Sequence, residues 1–125
     1  MTAKRTLAAI VAFCVLGCSS AVASPSTLSV AQVLKNPERY LNKEIVVKGL
    51  AKIRFEDVNI YAADQSEQCL SLLVPTKKFE QYRTKFDGKR TVIRGTLTSP
   101  ACPDGSLCNW ICNQQYGLEV RDIAF

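Results

Sequence analysis

Asn42-Lys43-Glu44-Ile45-Val46-Val47-Lys48-Gly49-Leu50 is answered 46 residues later by Gly88-Lys89-Arg90-Thr91-Val92-Ile93-Arg94-Gly95-Thr96. Both stretches open on a turn residue and a lysine, run through β-branched side chains, and close on a basic residue followed by glycine. β-branched side chains are restricted in helices and pack well on a pleated surface, so each stretch reads as a strand. Side chains alternate along a strand. Over residues 44–54, Ile45, Val47, Gly49, Ala51 and Ile53 therefore share one face, while Lys48, Lys52 and Arg54 share the other. Glycine inside a strand marks a bulge, a bend or the close approach of another backbone. Two such strands point to a small, strongly coiled, closed sheet.

The elements around the pair follow from the same patterns. Ser24 to Thr27 is a polar lead-in, after which Val30, Val33 and Leu34 lie at helical spacing behind Ser29, a residue type that caps helix N-termini. Asn36-Pro37 ends that short helix. Glu56-Asp57 makes a turn, and residues 58–62 and 69–74 are apolar runs of strand length joined by the polar loop Asp64-Gln65-Ser66-Glu67-Gln68. Thr76 reads as the N-cap of a second helix in which Phe79, Tyr82 and Phe86 recur at i, i+3 and i+7, and Asp87-Gly88 stops it. Residues 90–98 form the fourth strand and 117–123 the last, separated by a cysteine-rich connection. The expected order is a short helix, three strands, a helix and two strands.

Lys4-Arg5, the apolar run from Leu7 to Leu16 and the small residues Ala21-Val22-Ala23 have the layout of an export signal. The apolar run is too short for a typical membrane-spanning helix. Residues 1–23 are thus expected to be a signal peptide, leaving one domain over 24–125. Val15-Leu16-Gly17-Cys18 also resembles the lipobox of bacterial lipoproteins, in which the cysteine is lipidated and becomes the first residue. Leu16 departs from the small residue favoured there, so cleavage after Ala23 and cleavage before Cys18 both stay open.

The chain carries 16 basic and 11 acidic side chains, and without Lys4 and Arg5 the excess is small. Such a balance fits an anionic partner weakly and argues against a dedicated nucleic-acid binder, whose charge is denser on one face. Cys69, Cys102, Cys108 and Cys112 lie outside the signal. An even number of cysteines in a small exported domain leads to the expectation of two disulfides, with the connectivity open. Closing such loops typically contributes about 2 to 4 kcal/mol. Metal and thiol-redox readings of the same cysteines are alternatives. Zinc sites usually show close pairs such as C-x2-C, and Cys108-Asn109-Trp110-Ile111-Cys112 has one residue more than the redox C-x-x-C.

The element order, with Asn36-Pro37-Glu38-Arg39-Tyr40-Leu41-Asn42-Lys43-Glu44-Ile45-Val46-Val47-Lys48-Gly49 upstream and Gly88-Lys89-Arg90-Thr91-Val92-Ile93-Arg94-Gly95 downstream, resembles small exported bacterial proteins and lipoproteins of the oligonucleotide/oligosaccharide-binding fold. The resemblance implies a mainly β, five-stranded Greek-key barrel, with a helix between strands three and four and a short N-terminal helix. It also implies a binding face on the second and third strands, where Asn59, Tyr61, Ser71 and the loop at Gln65 fall. Single-stranded nucleic acid needs several aromatic platforms beside a basic groove, and Tyr61 is the one aromatic residue in those two strands. A ring packed against the core is the alternative role for Tyr61.

Lys48, Lys52 and Arg54 would meet Arg94 if the first and fourth strands pair. That stripe suits an anionic glycan, lipid headgroups or an acidic protein, or serves simply as a solvated outer face. Trp110, held among three cysteines, reads either as a recognition anchor or as a lid on the core. The sequence has no histidine, which excludes Ser-His-Asp and Cys-His nucleophile systems. The adjacent carboxylates Glu56-Asp57 point apart and make a poor acid/base pair. No cofactor is implied. The expected function is a non-catalytic binding module of the bacterial cell envelope, periplasmic or membrane-anchored, holding an envelope protein or an anionic glycan. The alternatives are a lipid-anchored accessory subunit, with the membrane met through Cys18, and a thiol-redox or metal-binding protein.

Overall fold

β-branched runs and glycine-marked turns dominate the chain, and the fold is accordingly mainly β. The computed structural model describes residues 26–64, 66–99, 104–107 and 115–125. The expected signal peptide with Cys18, together with Gln65, Cys102, Cys108, Trp110 and Cys112, lies outside the described residues.

The strands are β1 (Thr27–Ser29), β2 (Glu44–Arg54), β3 (Asp57–Tyr61), β4 (Cys69–Pro75), β5 (Arg90–Thr98), β6 (Ser106–Leu107) and β7 (Gly117–Ala124). The helices are α1 (Val30–Lys35) and α2 (Phe79–Phe86), with 3-10 turns at Pro37–Tyr40 and Thr76–Lys78. Among the described residues no helix is long and apolar enough to cross a membrane.

Strand order runs β1-β2-β3-β4-β7-β5, and β5 pairs back onto β2, so the path closes in a ring-like arrangement. The closure depends on β2. Its first part pairs antiparallel with β5 as far as Leu50↔Arg90, and its last part pairs antiparallel with β3 from Leu50↔Tyr61 onward. Leu50 is the point where β2 changes partner. β4 meets β7 in parallel through Ser71↔Gly117, Leu72↔Leu118 and Leu73↔Glu119, and the remaining main-strand pairs are antiparallel.

The two glycines of the repeat explain themselves in this geometry. A Cβ on Gly49 would lie 2.6 Å from the Tyr61 carbonyl oxygen and 2.8 Å from Ile60 Cγ1, so the crossing of β2 over β3 needs a residue without one. A Cβ on Gly95 would run into the carbonyl oxygen of Glu119. The expected bulge lies beside Gly95 but on the partner strand. Gly95 pairs with Val120 and Arg94 with Asp122, leaving Arg121 as the extra residue in β7.

The inward face of β2 is as expected, with Ile45, Val47, Ala51 and Ile53 buried. They join Val58 and Ile60 of β3, Leu70, Leu72 and Val74 of β4, Ile93 and Leu97 of β5, and Leu118 and Val120 of β7 in one cluster. Both helices add to it, through Val30 and Val33 of α1 and Phe79, Tyr82 and Phe86 of α2. Ser29 caps α1 as its residue type suggests. Its Oγ accepts from Gln32 N at 3.1 Å while Gln32 Oε1 accepts from Ser29 N at 2.8 Å.

Three local features differ from the sequence expectation. The lead-in contains β1, which pairs in parallel with β2 through Thr27↔Val46 to Ser29↔Lys48. The cysteine-rich connection contains β6, which pairs with the end of β4 through Val74↔Leu107 and Pro75↔Ser106. Thr76 does not cap α2. It begins a 3-10 turn, and its backbone N–H donates to Gly105 O at 2.8 Å, so a contact distant in sequence sets the entry to the helix.

Candidate functional site

Residues directly opposite one another in neighbouring strands share a face of the sheet. The outward residues of β2 at the partner change are therefore set beside those of β3: Leu50 beside Tyr61, Lys52 beside Asn59, and Arg54 beside Asp57. On the other flank Arg90 lies beside Leu50. Lys52, Arg54 and Arg90 then line a surface cavity of about 480 Å³ with Leu50, Gly88 and Asp64. Lys52 and Arg54 were expected at such a face from alternation. Arg90 was not singled out, although it is the third residue of the second copy of the repeat.

β3, which pairs with this part of β2, carries a fixed polar cluster. Asp57 Oδ1 accepts from Asn59 Nδ2 at 2.6 Å and from the Tyr61 hydroxyl at 2.8 Å. Burial, then the hydrogen bond to Asp57, then its negative charge push the Tyr61 phenol up to about 12 from the ordinary 10.0. Tyr61 is therefore a neutral donor throughout the physiological range. Its ring does not pack in the core. It sits half-buried on the outer face with Lys52 Nζ 4.6 Å from its centroid, within cation–π range. Asn59 is fully buried, and its Oδ1 has no hydrogen-bond partner among the described residues.

Arg54 is tied down as well. Its Nε donates to Asp87 Oδ1 at 3.1 Å, and the same oxygen accepts from the backbone of Ile53 at 2.9 Å. Asp87 thus pins the end of β2 against the exit of α2. Among the described residues Lys48, Arg90 and Arg94 form no ion pair.

Lys48 and Arg94 are not directly opposed. Lys48 faces Val92 and Arg94 faces Val46, so the two cations are diagonal neighbours, with Lys48 also diagonal to Arg90. Long side chains reach across such diagonals. The result is a band of Arg94, Lys48, Arg90 and Lys52 along the β2–β5 ladder, over a floor of Val46, Val92 and Leu50. Asp122 lies across from Arg94 on β7, and Glu44, at the far end of β2, is paired with Arg121 at 2.8 Å. At the cavity end Arg54 is paired with Asp87 and Asp64 is part of the lining, so among the described residues Lys52 and Arg90 are the cations there that form no ion pair.

Of the other residues singled out in the sequence, Ser71 and Cys69 on β4 are buried on the same side of the sheet as Asn59 and Tyr61. Cys69 is disulfide-bonded. Among the described residues no group of histidine, cysteine, aspartate or glutamate is arranged to hold a metal ion. A second cavity of about 420 Å³ lies between α1 and the following turn, lined by Gln32, Lys35, Asn36, Arg39 and Tyr40. The chain matches no protein-family model and no curated protein.

Proposed function

We propose that the chain is a non-catalytic binding module of the bacterial cell envelope which holds an anionic glycan along the outer β2–β5 face. One observation carries this reading: Arg94, Lys48, Arg90 and Lys52 form a continuous basic band that ends in the cavity between Lys52, Arg54 and Arg90. An extended polyanion can lie along such a band and meet successive cations, and the apolar floor accommodates the faces of sugar rings. Tyr61, half-buried and fixed through Asp57, supplies a rigid edge beside Lys52, which lowers the ordering cost of binding.

The ring order, with its parallel β4–β7 pair, supports the oligonucleotide/oligosaccharide-binding fold as the scaffold, with β2, β3, β4, β5 and β7 as its barrel strands. We read β1 and β6 as additions to it. The proposed setting is the periplasm or a membrane attached through Cys18, with Cys69 bonded within the set Cys102, Cys108 and Cys112 and Trp110 carried in that stapled connection.

The test is retention on immobilised heparin, used as a generic polyanionic glycan. The parent should elute well above the salt concentration at which a Lys52→Glu, Arg90→Glu variant elutes. A Lys35→Glu, Arg39→Glu variant at the second cavity should elute with the parent. If both double variants shift equally, only net charge is being read and the proposed face is wrong.

A further inference from the structure

Phe55 and Phe125 are the exposed large hydrophobic residues of the described structure, at 75% and 67% exposure. They flank a single helix. Phe55 packs in a tilted arrangement against Phe79 at the start of α2 and Phe125 against Phe86 at its end, each with ring centroids 5.1 Å apart. Phe79 and Phe86 are themselves buried, so the core fixes the two outer rings from beneath while their outer faces meet solvent.

The charges around these rings are sorted in a particular way. The acidic residues of α2 and its exit are already neutralised, Glu80 by Arg83 at 2.6 Å and Asp87 by Arg54 at 3.1 Å. Glu56, next to Phe55, and Asp104, next to the Gly105 whose carbonyl accepts from Thr76 N, are carboxylates at this end without a described ion pair. Lys77, Lys78, Lys85 and Lys89 form no ion pair among the described residues. Lys78, Lys85 and Lys89 instead lie over the rings of Tyr82, Phe86 and Phe125, at 5.9, 5.4 and 5.3 Å. Their ammonium groups lie within cation–π range of these rings.

We propose that this end of the molecule docks onto the surface of an anionic phospholipid bilayer. Phe55 and Phe125 enter the boundary between acyl chains and headgroups, and the four lysines lie at the level of the phosphates. Exposed aromatic rings ringed by lysines combine the apolar burial and the attraction to anionic lipid on which interfacial binding depends. A protein partner fits less well. Two rings offer at most about 500 Å² of apolar surface, below the roughly 800 Å² that each side of a stable interface buries. A bilayer needs no matching shape. The inference is independent of the glycan reading, because it uses neither Lys52 nor Arg90.

Co-sedimentation with vesicles tests it, using protein recovered after export and carrying Cys18→Ala so that no acyl chain contributes. The protein should bind vesicles of phosphatidylethanolamine with phosphatidylglycerol and bind phosphatidylcholine vesicles far more weakly. Phe55→Ser and Phe125→Ser should each weaken binding by about tenfold. Lys77→Glu with Lys78→Glu should weaken it further, and salt should weaken the parent. Because all variants share one N-terminal segment, the differences read the α2 end alone. Unchanged melting temperatures in the serine variants keep the comparison valid, since both side chains are largely exposed. The proposal is overturned if the parent leaves anionic vesicles unbound, if it binds both vesicle types equally, or if the Phe55→Ser, Phe125→Ser double variant binds like the parent. Loss of heparin retention in the Lys52→Glu, Arg90→Glu variant with vesicle binding intact would separate the two surfaces.

Discussion

Gly49→Ala is the most direct probe of how the ring closes. The new Cβ would stand 2.6 Å from the Tyr61 carbonyl oxygen, where ordinary contact begins at 3.4 Å, so β2 and β3 must separate by about 0.8 Å. Neither neighbour can step aside. Tyr61 is held in the ladder opposite Leu50, and Ile60 is fully buried. Overpacking of this kind costs about 1 to 3 kcal/mol, and a clash with backbone belongs near the upper figure. Alanine also narrows the unfolded ensemble, which returns about 0.4 to 1 kcal/mol. The expected net loss is about 2 kcal/mol, and for a domain of this size that lowers the melting temperature by roughly 8 to 16 °C. Gly88→Ala is the control. Gly88 has φ +77° with open space around its Cα, so alanine there meets only the left-handed backbone penalty, about 1 kcal/mol. Urea denaturation followed by circular dichroism gives both values, with an unchanged m-value showing that stability alone has moved. If Gly49→Ala melts within about 2 °C of the parent, or costs less than Gly88→Ala, the close approach of β3 is not the reason for the glycine.

Three further outcomes follow from the polar contacts around the same crossing. Asp87→Ala should cost about 1 to 3 kcal/mol, because it strands the N–H of buried Ile53, whereas Arg54→Ala removes only a solvent-exposed partner and should cost under about 1 kcal/mol. Equal losses in denaturant titrations would mean that the ion pair, not the backbone bond, is what Asp87 supplies. A tyrosine should titrate at about 12 by ultraviolet absorbance, and Asp57→Asn should bring it down, since the hydrogen bond and charge of Asp57 both raise it; no change would place the effect in burial alone. The folded protein keeps that proton when an unfolded chain, at the ordinary 10.0, has released it, so the associated stability is full below pH 10 and is lost as pH rises through 12. A denaturation midpoint that rises over that interval would contradict the assignment.

The strands with regular alternation were legible in the sequence, and the contacts that depend on distant pairing were not. β2 (Glu44–Arg54) and β5 (Arg90–Thr98) cover the residues expected of them, because nine or more residues of alternation state both the conformation and the buried face. β1 and β6 have three and two residues, too few for any periodicity, and exist because the neighbouring strands offer an open edge. The role of Asp87 was hidden behind its position. It reads as the end of a helix, and its bond to Ile53 spans 34 residues of sequence. The outward side of Tyr61 was legible. Val58 and Ile60 alternate with Asn59 and Tyr61, and consistent use of that alternation sends the ring away from the core and towards Lys52.

The repeat also accounts for the site itself. The two copies pair antiparallel, and Val47↔Ile93, the sixth residue of each, is the centre of their register. Around that pair the copies are related by a local two-fold pattern: Gly49 faces Thr91 as Gly95 faces Ile45, and Lys48 faces Val92 as Arg94 faces Val46. Antiparallel pairing brings the start of each copy against the end of the other, so Arg90 arrives beside Leu50 and Glu44 arrives beside Thr96. The symmetry is broken at these ends. One end gathers Arg90, Lys52 and Arg54 around a cavity because β2 continues past Leu50 to pair with β3. The other end holds Glu44 already paired with Arg121, the residue that the bulge in β7 inserts. The basic pocket is therefore a consequence of where β2 outlasts its partner. Shortening the overlap of β2 with β3 should abolish anion retention even with every cation in place, whereas altering the Glu44 end should leave it intact.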